Sequence, residues 1–148
     1  MSLTDERSAF VRAHLAWEAG DFDGFMRCIA DDIMYIVNVD GLQVPYAMSA
    51  VGKEDLRGRL QLLLDTFFVT TFAIEKLVHE AESSRTVVHG VYRHKKTGEV
   101  LDIKVRFRGW IENGLLTRLE ETHDARYIEA FERFVFHIES AAREIGQT

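Results

Sequence analysis

The chain is short of three things: cysteine, clustered positive charge and long apolar runs. Cys28 is its one cysteine, which excludes an internal disulfide and a cysteine-based zinc site; in an apolar helical stretch it reads as a small core residue. Lys and Arg number 18 against 24 Asp and Glu, a net charge of -6, and no basic cluster stands out. Phosphate-backbone binding therefore lacks its electrostatic footprint, and nucleic acid is not an expected partner. No segment reaches the roughly 18 apolar residues of a membrane span, and the opening MSLTDERSAFVRAHL carries charge where a secretory signal needs an apolar run. The expectation is a cytoplasmic protein without membrane contact.

What is present suits one globular domain, 1–148: 148 residues, 47% hydrophobic and 28% charged, enough to bury a sizeable core. Ser2 or Thr4 can cap a first helix with Asp5 and Glu6 in its first turn, and Phe10, Ala13, His14 and Trp17 share one of its faces. Gly20 is a plausible stop, Asp21 a cap for a second short helix with Phe22, Phe25, Met26 and Ile29 on its apolar side. Ile33 to Val39 reads as a strand, Asp40-Gly41 as a hairpin turn, and Leu42 to Met48 as the returning strand.

From Gly52, Leu56, Leu60, Leu63, Leu64 and Phe67 fall at helical spacing, with Lys53, Glu54, Asp55, Arg57 and Arg59 assigned to the polar side. Gly58 weakens this helix by about 1 kcal/mol relative to Ala. Four β-branched and aromatic runs follow, Val69 to His79, Thr86 to Tyr92, Val100 to Ile111 and Leu115 to His123, separated by turn-forming residues. They read as four antiparallel strands. From Asp124, the spacing of Ile128, Phe131, Val135, Ile138, Ala142 and Ile145 predicts a long amphipathic helix. Helices, then strands, then a terminal helix describe an α+β domain.

The stretch AWEAGDFDGFMRCIADDIMYIV, Ala16 to Val37, resembles the opening of the ketosteroid isomerase and SnoaL-like group, within the nuclear transport factor 2-like superfamily. VGKEDLRGRL and ENGLLTRLEETHDARYIEAF are similar to that group's later helix and its closing strand. The resemblance implies a cone: a strongly curved antiparallel sheet, N-terminal helices enclosing an apolar pocket, a long C-terminal helix, and a homodimer formed through the outer sheet face. Group members isomerise steroids, cyclise polyketides, hydrolyse epoxides or only bind, and the chemistry implied here needs no cofactor.

The same resemblance places the isomerase base at Val37, the helix tyrosine that donates to the oxyanion at Ala13, and the protonated acid near Arg106. None of the three can do that chemistry. The epoxide hydrolase pattern is matched in part, by Tyr35 and Asn38 at a different spacing.

Side chains alternate along a strand, so Leu115, Leu119, Glu121 and His123 share a face, with Arg118, Glu120 and Thr122 opposite. A carboxylate and an imidazole two apart on one face can exchange or share a proton, which makes Glu121 and His123 the candidate catalytic pair. The other reading sets both at the open end of the strand, partly solvated, with Glu121 in a salt bridge and His123 beside the next helix. His14, Trp17, Tyr35, Val37, Tyr92 and Phe107 are candidate pocket residues, with His14 either a donor to ligand or a satisfied core histidine. Asp124 reads as the cap of the terminal helix. The other histidines have no metal-ligand spacing, and no phosphate-binding glycine loop or nucleophile motif is present.

Two functions follow as expectations. One is cofactor-free acid/base catalysis on a small apolar or polycyclic molecule by Glu121 and His123, with Tyr35 or His14 donating. The other is a non-catalytic ligand-binding or dimerisation domain that has lost the base.

Overall fold

A computed structural model of the chain describes residues 3–38 and 47–147. Helix α1 (Leu3–Glu18) begins one residue ahead of Thr4, so Thr4 lies inside the helix instead of capping it. Helix α2 (Phe22–Arg27) is capped as the sequence indicates, the Asp21 carboxylate accepting from the Gly24 N–H at 2.9 Å. Strand β1 (Ile29–Val37) starts four residues earlier than the hydrophobic pattern suggests. Asp31 and Asp32 are exposed within it, and two adjacent carboxylates hide a strand from a reading based on apolar alternation.

Strand β2 (Ala50–Val51) pairs antiparallel with β1, Tyr35 facing Ala50. The predicted turn at Asp40-Gly41 and most of its returning strand lie outside the described residues. Helix α3 (Lys53–Thr66) follows, then a meander of β3 (Phe67–His79), β4 (Ser84–His94), β5 (Val100–Glu112) and β6 (Leu115–Thr122), closed by α4 (Ala125–Gln147). The sheet order is β2-β1-β6-β5-β4-β3. The meander is antiparallel throughout, whereas β1 joins β6 in parallel.

Register shifts interrupt β3 against β4 twice and β5 against β6 once. Such bulges bend a strand and increase its twist, and this sheet curves without closing on itself. The last bulge corrects one detail of the alternation. Thr117 is passed over between the partners of Trp110 and Ile111, so Leu116 faces the core, fully buried, and Leu115 does not.

The core lies in the concavity. Phe10, Ile33, Leu56, Leu116 and Val88 are completely buried there, and at about 1.5–3 kcal/mol for each large side chain removed from water this is the main force holding α1 and α3 onto the sheet. Helix α4 adds Phe134, stacked on Phe67 with ring centroids 6.2 Å apart, together with the predicted Ile128. Its Ile138 and Ala142 are buried, but Ile145 is half exposed. No described helix is long and apolar enough to cross a membrane.

One close approach fixes how α1 sits. A Cβ added at Gly109 would come within 2.6 Å of the Phe10 ring and 2.9 Å of Leu116, both fully buried. Gly109→Ala should therefore cost about 1–3 kcal/mol through overpacking, measured as a lower urea midpoint at unchanged slope. An unchanged midpoint would mean that α1 is free to shift.

Candidate functional site

The parallel register of β1 and β6 assembles the site. Val37 lies directly beside Glu121, and Tyr35 beside Leu119; on the other side β5 sets Phe107 against Glu121, and β4 sets Thr86 against Phe107. Residues abreast in a sheet share a face. Val37, Glu121, Phe107 and Thr86 thus form one transverse row on the concave side, with Glu121 as its ionisable member.

Behind this row is a cavity of about 90 Å³ walled by Trp17, Phe25, Leu60, Phe72, Ile103 and Leu119 among others. Its wall also carries Tyr35, Arg59, Glu121 and His123, with Tyr92 and His14. Tyr35 donates its hydroxyl to Glu121 Oε1 at 2.6 Å. The other carboxylate oxygen, Oε2, stands 3.0 Å from His123 Nε2, and a carboxylate in that place makes Nε2 the protonated nitrogen. The Glu121 and His123 side chains are only 15% and 10% exposed, which decides between the two readings of this pair: they are an interior pair, not a solvated strand end.

Burial alone would raise the Glu121 pKa. The hydrogen bond from His123, the Arg59 charge, the His123 charge and the Tyr35 hydroxyl together outweigh it and hold the carboxyl down at about 2. Burial, and then the adjacent Glu121 charge, push the Tyr35 hydroxyl well above its ordinary value, with Arg59 opposing. Tyr35 is accordingly a neutral donor, and Glu121 a fixed anion that orients both neighbours.

His123 is positioned by its backbone as well. Asn38 donates through Nδ2 to the His123 carbonyl at 2.8 Å and accepts from the His123 N–H at 2.9 Å, while its own N–H donates to the Glu121 carbonyl at 3.3 Å. The side-chain amide behaves as one further rung of the β1–β6 ladder. Its sequence signal was an amide just past an apolar run; the partner strand that gives it a role was not legible.

Arg59 is the second residue that pattern reading misplaced. Assigned to the polar side of α3, it is 8% exposed and sits on the cavity wall. Leu56, Arg59 and Leu63 are spaced by three and four, so the helical period puts Arg59 on the buried face; its residue type argued otherwise. Its Nε donates to the Met48 carbonyl at 2.8 Å, and the guanidinium carbon lies 4.8 Å above the Tyr35 ring.

The remaining candidates divide. Trp17, Tyr92 and Phe107 line the cavity; burial raises the Tyr92 pKa, Glu121 adds to this, and Arg59 and a hydrogen bond from Trp17 oppose it. His14 also lines the cavity, but it is not free to donate to a ligand. Its Nδ1 donates to the Phe10 carbonyl at 2.8 Å and its Nε2 meets Thr86 Oγ1 at 2.9 Å, which commits both nitrogens. Burial lowers its pKa, the Phe10 bond opposing, so His14 is a neutral core histidine.

Val37 is 2% exposed in the core and is not among the cavity-lining side chains; Tyr35 and Glu121 form the wall there. Ala13 reaches the wall without a donor. Arg106 points away from the cavity, which Phe107 faces instead. The exposed Arg106 guanidinium pairs with the Asp124 carboxylate at 2.8 Å, and the Asp124 backbone carbonyl accepts the first helical bond of α4, from Ile128 at 2.9 Å. Among the described residues, no group of three or more His, Cys, Asp or Glu is arranged to hold a metal ion.

Comparison with known proteins agrees with this architecture. A family model described as a SnoaL-like domain matches residues 9–119. No curated protein sequence matches. Among solved structures, an NTF2-like protein of unknown function from Burkholderia pseudomallei K96243 superposes with a TM-score of 0.75 at 13% identity, over 90% of this chain and 97% of that one. A protein from Mesorhizobium loti, provisionally described as a SnoaL-like polyketide cyclase, gives 0.66 at 21% identity, over 82% and 98%. A computationally designed 17-OHP binder gives 0.70 at 15% identity, over 83% and 95%.

The depressed Glu121 pKa links the site to stability. A carboxyl whose folded pKa lies below its unfolded value contributes stability that is fully present above the unfolded value, 4.5, and is lost as pH falls toward the folded value, about 2. Between about pH 5 and about pH 3 the wild-type chain should lose roughly 2 kcal/mol more than Glu121→Gln, read from urea unfolding followed by circular dichroism. Parallel pH profiles for the two proteins would contradict the arrangement.

Proposed function

The chain belongs to the SnoaL-like domain family, and from that premise we propose that it binds a small, largely apolar molecule in its cavity and carries out cofactor-free proton transfer on it. The observation that carries the reading is the Tyr35–Glu121–His123 chain, with contacts of 2.6 and 3.0 Å on the wall of an otherwise apolar cavity. Apolar pockets with a few convergent polar groups are where small ligands bind.

Within this reading the two candidate residues divide the work. Glu121 is a weak base, being held ionised by two donors and a nearby cation, so its part is orientation. It fixes His123 with Nε2–H toward the carboxylate, and the oriented imidazole is the group that takes or returns the substrate proton. Tyr35 keeps the carboxylate in place. The carboxylate that orients this base lies beside the first-strand position Val37, one strand across the sheet.

A binding-only role is the second reading. It is favoured by Ala13 and Val37, which occupy the donor and base positions of the isomerase pattern without a polar atom to offer. The names carried by fold relatives point both ways, to a cyclase and to a binder, and a scaffold of this kind hosts many chemistries.

The two readings separate by isotope exchange. With the bicyclic ketone 2-tetralone in D2O, the wild-type protein should accelerate exchange of the protons next to the carbonyl, followed by NMR. His123→Ala should reduce that acceleration about 10²–10⁴-fold, the usual worth of a positioned acid/base. Equal exchange by the variant would sink the catalytic assignment, and tight binding without exchange would favour the binding role.

A further inference from the structure

Arg59 is the one arginine or lysine on the cavity wall among the described residues. It is 92% removed from solvent, since its relative exposure is 8%. Of its donors, Nε is used by the Met48 carbonyl and the guanidinium face rests on Tyr35. The two terminal nitrogens meet no hydrogen-bond acceptor among the described residues. They are also not sealed off, because the only fully buried side-chain nitrogen or oxygen without a partner among these residues is Arg108 Nε. They therefore keep some accessible surface, on a residue that lines the cavity.

A guanidinium kept from water with its fork unengaged is costly unless an anion completes it. Glu121 supplies opposite charge nearby, but it forms no ion pair with Arg59 within 4.0 Å; its two oxygens are taken by Tyr35 and His123. The planar fork matches an anionic oxygen pair, and the surrounding wall of Trp17, Phe72 and Leu60 suits an aromatic or alicyclic body.

From this arrangement we infer that the ligand is an apolar ring molecule bearing an acidic oxygen, a carboxylate or an enolate-type oxyanion, and that Arg59 is the subsite that receives it. The inference deepens the proposal of a ligand cavity and rests on it, but it does not require His123 to be a catalyst. In a proton-transfer reaction the same fork would hold the oxygen on which charge develops.

The test compares 2-naphthoate with its neutral isostere 2-naphthamide by isothermal titration calorimetry. Naphthoate should bind about tenfold or more tightly, as expected for a hydrogen bond to a charged group. Arg59→Gln should remove that preference while leaving naphthamide affinity within about threefold. Glu121→Gln should shift naphthoate affinity the other way, upward, by removing a nearby negative charge. Equal affinity for the two probes, a preference that survives Arg59→Gln, or no binding of either below about 1 mM would each overturn the assignment. Because only binding is read, loss of this preference with isotope exchange intact would remove the anion subsite and leave the proton-transfer reading standing.

Discussion

A carboxylate has to be made stable inside an apolar concavity, and the cavity's polar architecture follows from that requirement. An isolated buried carboxylate would be raised in pKa and would neutralise. Glu121 escapes this because each of its oxygens has a donor and Arg59 contributes positive charge. Those partners come from separate parts of the chain: Tyr35 from the first strand, His123 from the end of the last, Arg59 from the helix between. Only the parallel pairing of β1 and β6 lets strands so far apart in sequence contribute to one anion. The apolar wall is then free to be shaped by packing alone.

The fold was largely legible because most of it is written in local periodicity. The three-four spacing of α3, the β-branched runs of β3 to β6 and the Asp21 cap each specify their element without help from elsewhere. The parallel joining of β1 to β6 was not legible, since pairing partners at long range leave no mark in a single strand's pattern. Nor was the β6 bulge, which reversed the roles of Leu115 and Leu116 by one skipped residue, as any change of register must.

At the site, Glu121 and His123 could be found because alternation needs only one strand. Arg59 escaped because residue type was allowed to override helical spacing, although Leu56 and Leu63 on either side announced the buried face. Asn38 escaped for a different reason: its function is to imitate backbone, and nothing in a sequence separates that use of an amide from an ordinary surface asparagine. His14 shows the converse. Its spacing from Phe10 and Trp17 placed it correctly on the inner face, but which atoms its nitrogens would meet depended on Thr86, a residue on β4.

The Asn38 amide also fixes where the imidazole stands. By accepting from the His123 N–H and donating to the His123 carbonyl, it lets strand pairing continue for one residue after the strand itself has ended, at the corner where the chain turns into α4. The imidazole is thus mounted on a pinned corner, not on a loop. The placing of the imidazole is therefore inherited from the first strand, 85 residues earlier in the chain, and not from the helix that follows it directly.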